Sequence, residues 1–252
     1  MENIAIVTGA SSGIGRSFVK ALLNSEDCPD KIWIVARRID RLQAIADLSS
    51  KIVPIRADLG RPEGIETVIN KLKAEKPIVR YLVNSAGIGK RDNIADRPSS
   101  DIHDVVNLNC ISLSVLTRDV LPYMTIDSHI INIASTAAFM PQPGFAVYSA
   151  SKSYVIFFTR ALSRELKNAR IKVTAVCPGP VNTEFNSLAT DGKTSEFKGF
   201  RKWFVVDSDK LAAASLKAAR RGRVLYVHGF SQKAFHVASK ILPVGLLLKI
   251  LY

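Results

Sequence analysis

Short apolar runs alternate along this chain with stretches whose apolar residues recur every three or four positions. Ile4-Ala-Ile-Val7 reads as a buried parallel strand. A helical pattern follows from Arg16 to about Asn24, with Phe18, Val19, Leu22 and Leu23 on one side. Lys31-Ile-Trp-Ile-Val-Ala36 predicts a second strand, with a helix over Arg38–Leu48. Ile52-Val-Pro-Ile-Arg-Ala57 predicts a third, with a helix over Pro62–Lys73. Tyr81-Leu-Val83 is the fourth strand, followed by a long helix over about Ser100–Tyr123. Ile130-Ile-Asn-Ile-Ala134 is the fifth, with a helix through Tyr148 and Lys152 to about Asn168. Ile171-Lys-Val-Thr-Ala-Val176 is the sixth, stopped by Cys177-Pro-Gly-Pro180. Strand-helix alternation of this kind predicts an α/β fold: a doubly wound, Rossmann-type parallel sheet with helices on both faces. No repeat or low-complexity linker divides residues 1–252, so one domain is expected.

Composition adds bounds. Hydrophobic residues make up 47% of the 252, enough for a large core. Cys28, Cys110 and Cys177 are scattered, without metal-ligand spacing, which fits a reducing cytoplasm and not a disulfide framework. The four histidines show no ligand spacing either, so no metal is expected. The chain opens directly on a strand-like run, which does not read as a signal peptide. The formal net charge is +13. That charge suits a solvated cationic surface, an anionic cofactor, an acidic partner or an anionic membrane. No nucleic-acid-binding motif accompanies it, so nucleic acid is not an expected partner.

Four sequence features carry chemistry. Thr8-Gly-Ala-Ser-Ser-Gly-Ile-Gly15 lies between the first strand and the first helix. There glycines allow close backbone approach, and a helix amino terminus offers free N–H groups to phosphate. The second strand ends at Ala36 and runs into Arg37-Arg38, where an acidic residue would bind a ribose 2′-hydroxyl. Two guanidinium groups instead suit a 2′-phosphate, which favours NADP(H) over NAD(H); alternatively they only begin the next helix. Tyr148 and Lys152, four apart, share one helix face, and Ser135 ends the fifth strand. A neighbouring ammonium is expected to lower the phenol's pKa toward proton-transfer work, although alone such a pair could be packing. Asn109, in an otherwise apolar helical stretch, is either a bonded interruption or a relay element.

Taken in register, these motifs resemble the short-chain dehydrogenase/reductase family, in its single-domain branch of about 250 residues. The resemblance rests on Thr8-Gly-x-x-x-Gly13-Ile-Gly15, Asp58, Asn84-x-Ala-Gly87, Asn109, Ser135, Tyr148-x-x-x-Lys152 and Pro178-Gly179. Ser85 departs from it, since the family more often has a second asparagine there. The resemblance implies Tyr148 as general acid toward a carbonyl, Ser135 positioning its oxygen, and Lys152 on the nicotinamide ribose. It implies Asn109 as the anchor of a relay water. It implies a cofactor site in which Gly9, Gly13 and Gly15 line the pyrophosphate, with Ser11, Ser12 and Ile14 beside them. Arg37, Arg38, Asp58 and Leu59 would meet the adenosine end, flanked by Asn84, Ala86 and Gly87. Pro178, Gly179, Val181 and Thr183 would close over the carboxamide, with Tyr148 and Lys152 completing the site. Ser149, Ser151 and Tyr154 are left as packing or solvent residues. The expected activity is reversible carbonyl–alcohol conversion by a homodimer or homotetramer. A catalytically idle dinucleotide sensor of the same fold is the rival, which has no need of all four catalytic residues.

Residues 183–208 interrupt the alternation, and the resemblance implies a substrate lid there, with Phe185, Leu188, Phe197, Phe200, Trp203 and Phe204. With Ser135 and Tyr148, the expected substrate residues are Phe139, Phe145 and Phe185, with Met140 nearby; an apolar ketone or aldehyde (fatty acyl, steroid-like or aromatic) suits them. Residues 238–252 end in the apolar run Ile241-Leu-Pro-Val-Gly-Leu-Leu-Leu-Lys-Ile-Leu-Tyr252. A bilayer crossing takes about 20 residues, which this run does not reach. It covers a subunit interface, dips into an anionic membrane surface, or shapes the pocket.

Overall fold

Seven parallel strands form one sheet in the order β3-β2-β1-β4-β5-β6-β7 in a computed structural model that describes residues 1–181, 183–190 and 206–251. The strands are β1 (Asn3–Thr8), β2 (Lys31–Ala36), β3 (Ile52–Arg56), β4 (Ile78–Asn84), β5 (His129–Ile133), β6 (Lys172–Cys177) and β7 (Leu225–Val227). Side chains along a strand point alternately to the two faces. Ala5, Val7, Ile32 and Ile34 therefore bury against α1 (Gly13–Leu23), α2 (Ile39–Ala46) and α8 (Ser208–Arg220). Ile4, Ile6, Trp33 and Val35 bury on the other face against α3 (Pro62–Glu75), α5 (Leu113–Val120) and α6 (Ala146–Glu165). Both faces are covered, which is why the strands read as continuous apolar runs. Pro54 sits in β3, an edge strand, where a residue without an N–H is tolerated.

The strand order reverses between β1 and β4, and a ligand crevice belongs outside the carboxyl ends of strands at such a point. The predicted strands and long helices are present, with small shifts at their ends. The long helix contains a π turn, Asn107–Ser112, between α4 (Ser99–Val106) and α5. The structure adds β7, α9 (Phe230–Ile241) and α10 (Val244–Leu251), which the apolar pattern did not reveal as elements. Helix α7 (Glu184–Ala189) begins the expected lid, whereas Phe197, Phe200, Trp203 and Phe204 lie outside the described residues. Among the described residues no helix is long and apolar enough to cross a membrane.

Candidate active site

The turn from β1 into α1 is shaped by two close approaches. Gly9 has φ 65°, and a Cβ there would come within 2.9 Å of the Ala86 backbone. A Cβ on Gly15 would overlap the Gly9 carbonyl. Only glycine lets the turn close this tightly beside β4. Thr8 braces the same junction: its hydroxyl donates to Val83 O (3.3 Å) and accepts from the N–H groups of Ser85 and Ala86 (3.0 Å each). Ser12, at the N-cap of α1, makes no side-chain cap. The first N–H groups of the helix thus face the cleft as anion donors, and this cradle fits a dinucleotide pyrophosphate.

The two arginines after β2 divide. Arg38 donates to Ser11 Oγ and Ser12 Oγ (3.2 Å each) and pairs with Glu184 of α7 at 2.9 Å. Arg41 joins the same carboxylate. The Arg41 and Arg38 bonds hold the Glu184 carboxyl below the usual carboxylate range. Arg37 is exposed at the cleft rim, and among the described residues no side chain pairs with it. Asp58 lines the same end and accepts from Gly60 N at 3.0 Å.

On the chemical side, α6 carries Tyr148 and Lys152 into the cleft from beneath. The Tyr148 ring is stacked on Phe145 (centroids 4.2 Å apart) and tilted against Phe185 (5.4 Å). Burial pushes its phenol up to about 12, and the bond with the Ser135 hydroxyl pulls the other way. Burial pulls Lys152 down to about 8. Its Nζ donates to Ile133 O at 2.8 Å and lies 5.7 Å from the Tyr148 ring centroid. The expected lowering of the phenol's pKa by this ammonium is therefore not met in the chain alone: desolvation outweighs the Ser135 hydrogen bond. Ser135 stands at the end of β5, its Oγ accepting from Ala137 N at 3.1 Å.

Asn109 lies in the π turn, a local widening that often marks functional positions. Its Oδ1 accepts from Ile88 N (3.0 Å), and its Nδ2 donates to Ile88 O (2.8 Å) and Ser151 Oγ (3.0 Å). Gly87 lies beside it, and a Cβ there would be 3.1 Å from Asn109 Oδ1 and 3.3 Å from Lys152 Nζ. Asn109 is thus both the bonded interruption and a neighbour of the lysine.

Most of these groups line one cleft of about 480 Å³, with Asn109 buried outside its lining. It gathers the predicted Gly9, Ser11, Ser12, Gly13, Ile14 and Gly15; Arg37, Arg38, Asp58 and Leu59; and Ala86 and Gly87. It also gathers Ser135, Phe145, Tyr148, Lys152, Pro178, Gly179, Val181, Thr183 and Phe185. Two expectations are corrected. Asn84 is buried behind the cleft wall, its Nδ2 donating to Thr117 Oγ1 (3.0 Å) and Asn132 Oδ1 (2.8 Å), so it ties β4 to β5. Phe139 packs on His236 (4.2 Å) and Phe235 (6.3 Å) of α9 and does not line the cleft. Ser151, set aside as packing, is buried and holds Asn109, while Tyr154 is exposed and bonded to Ser114. Gln142 and Arg91 join the lining unforeseen, and the Arg91 guanidinium lies 5.0 Å over the Phe145 ring. Such tertiary partners leave no local spacing signal. Among the described residues no His, Cys, Asp or Glu cluster could hold a metal.

Comparison with known proteins agrees with this geometry. The short chain dehydrogenase family model matches residues 3–194. The chain is 33% identical over 195 residues to an NADP-dependent 3-hydroxy acid dehydrogenase of Schizosaccharomyces pombe, covering 74% of each. A short-chain dehydrogenase from Sphingobium yanoikuyae in complex with NADPH superposes with a TM-score of 0.77 at 26% identity, covering 98% of this chain and 95% of that one. A 3-ketoacyl-(acyl-carrier-protein) reductase from Brucella melitensis complexed with NADH gives 0.76 at 25% identity, over 89% and 96% of the two chains.

Proposed function

From the premise that the chain belongs to the short-chain dehydrogenase/reductase family and is an oxidoreductase of it, we propose that it interconverts a carbonyl and a secondary alcohol, running mainly as an NADPH-dependent reductase. The observation that carries this reading is the convergence of Ser135, Tyr148 and Lys152 on one cleft with the glycine cradle. A nicotinamide bound there supplies the hydride. Gly9, Gly13 and Gly15 would hold the pyrophosphate end, and Thr183 and Val181 the carboxamide end. Arg37, exposed and unpaired among the described residues, supports a 2′-phosphate and hence NADP(H).

Each step of proton handling falls to this chain's own groups. Ser135 donates to the substrate oxygen and positions it where negative charge develops. Tyr148 gives that oxygen its proton; a buried phenol pushed up to about 12 is held protonated, the state a general acid needs. Lys152, one donor spent on Ile133 O, has two left for ribose hydroxyls and lies close enough to steady the phenolate. Asn109 would anchor the water that returns a proton to Lys152, and Gly87 keeps Cβ atoms out from between them.

Phe145, Phe185 and Leu188 support an apolar carbonyl substrate of the fatty acyl, steroid-like or aromatic kind. Arg91 beside Phe145 favours one that also bears an acid group, in keeping with the 3-hydroxy acid in the name of the Schizosaccharomyces pombe relative. The same reading places a homo-oligomer in the cytoplasm, where free Cys28, Cys110 and Cys177 are at home.

Titration with NADPH and NADH, followed by a carbonyl screen, tests the reading. NADPH is expected to bind more tightly, by a margin that Arg37→Asp removes. Tyr148→Phe is expected to keep binding but lose about 10²–10⁴-fold in kcat. Equal NADH affinity sinks the 2′-phosphate assignment; binding without turnover of any carbonyl restores the idle sensor.

A further inference from the structure

Helix α9 turns an apolar seam to solvent. Phe230, Ala234, Val237 and Ile241 are spaced four, three and four residues apart, which stacks them on one helix face. All four are exposed; Phe230 is 89% accessible, Val237 54% and Ile241 74%. The seam continues through Leu242 and, past Pro243, through Val244 and Leu246. The other side of α9 fixes it to the body: Phe235 and His236 lie against Phe139, and Gln232 packs on Gly179 at the cleft wall. In α10 only Leu247 among the described side chains is buried. A continuous exposed patch of this kind marks a binding surface.

Charge selects the occupant. From Lys210 to the end of the chain there is no Asp or Glu, while Lys210, Lys217, Arg220, Arg221, Arg223, Lys233, Lys240 and Lys249 are cationic. Lys233, Lys240 and Lys249 are exposed on α9 and α10 themselves. In a symmetric contact a second copy would bring the same lysines against these, with no carboxylate from this segment to meet them. An anionic bilayer meets both demands: apolar side chains enter the acyl boundary while lysine stems reach up to the headgroups.

We propose that α9 and the start of α10 form a peripheral membrane-binding surface that seats in an anionic lipid headgroup layer. The surface begins at Phe230, earlier than the apolar run of residues 241–252 suggested. It stands independently of the catalytic reading, because vesicle binding is read without turnover.

The test is co-sedimentation of the full chain with vesicles of phosphatidylcholine alone and of phosphatidylcholine mixed with phosphatidylglycerol. Binding is expected only to the mixed vesicles and should fall as salt rises. Val237→Asp with Ile241→Asp should weaken it roughly tenfold or more, and Lys233→Gln with Lys240→Gln should weaken it and flatten the salt dependence. Unchanged NADPH titration shows that both variants are folded. The proposal is overturned if wild-type protein ignores anionic vesicles, or if neither variant alters binding. It is equally overturned if wild-type protein is an oligomer that the Val237/Ile241 variant converts to monomers, since the seam is then a contact between copies.

Discussion

His129, at the start of β5, is buried with its ring stacked on Tyr81 at 4.9 Å. Desolvation first, then Lys172, Arg80 and Arg220, pull its pKa down to about 4, against an opposing effect of Asp27. The unfolded chain takes up a proton near pH 6.5 that the folded chain refuses until about pH 4. Stability from this residue is therefore complete above the unfolded value and is lost as pH falls through that window, by up to about 3 kcal/mol. Melting temperature measured from pH 7 to 4 should fall less steeply in His129→Phe, which keeps the stack but cannot titrate; parallel curves would refute the assignment. Gly87→Ala belongs to the same scale. Its methyl would press on Asn109 Oδ1 and Lys152 Nζ, and kcat should fall on the order of 10–100-fold, with NADPH binding weakened as well because Lys152 also serves the ribose. Single residues are also where reading the sequence succeeded unevenly. Tyr148, Lys152 and Ser135 were legible because helix period and strand end fix their positions locally. Asn84 was misplaced, and Ser151 was set aside as packing without its bond to Asn109, because both are defined by buried hydrogen-bond partners on other elements. The direction of the Tyr148 shift was misjudged for a related reason, since spacing shows a neighbouring charge but not the depth of burial.

Among elements, α7 is joined to the cofactor turn by one carboxylate. Glu184 lies between Arg38 and Arg41, and Arg38 also reaches Ser11 and Ser12. All three charged side chains are about two-fifths exposed, so the ion pairs themselves add little stability. Their consequence is for ligand charge: Glu184 competes for the cations that an NADP 2′-phosphate would approach. Glu184→Gln should tighten NADPH binding a few-fold and leave NADH unchanged, as read by nicotinamide fluorescence. Equal gains for both cofactors would mean that the carboxylate acts on access to the cleft. This clamp could not be read from sequence, because its partners are 146 and 143 residues apart. The helices up to α6 and six of the strands could be, because strands buried on both faces are continuous apolar runs. β7 has three residues, too few to show a period, whereas the helical spacing of Phe230, Ala234, Val237 and Ile241 in α9 was present in the sequence and went unread.

For the whole molecule, the proposed association rests on +13 of net charge and on two exposed apolar faces among the described residues. One face is the α9–α10 seam. The other spans α4 to α6, with Val106, Ile111, Val115, Tyr154 and Phe157 exposed and a Ser114–Tyr154 bond of 2.8 Å joining α5 to α6. Asp104 and Asp119 also lie on α4 and α5, so carboxylates and cations are both available there to a second copy, as they are not on α9. Phe157 is 73% accessible, an aromatic ring whose burial against a symmetry mate would anchor a dimer. Phe157→Asp places a charge at that centre and should raise the dimer dissociation constant about 100-fold or more, seen as monomers in analytical ultracentrifugation. NADPH titration and vesicle binding should survive the change, since Phe157 is exposed and does not line the cleft. An unchanged oligomer in Phe157→Asp would move the copy interface elsewhere, and a variant that lost vesicle binding along with its partner would show that the two faces act through one assembly.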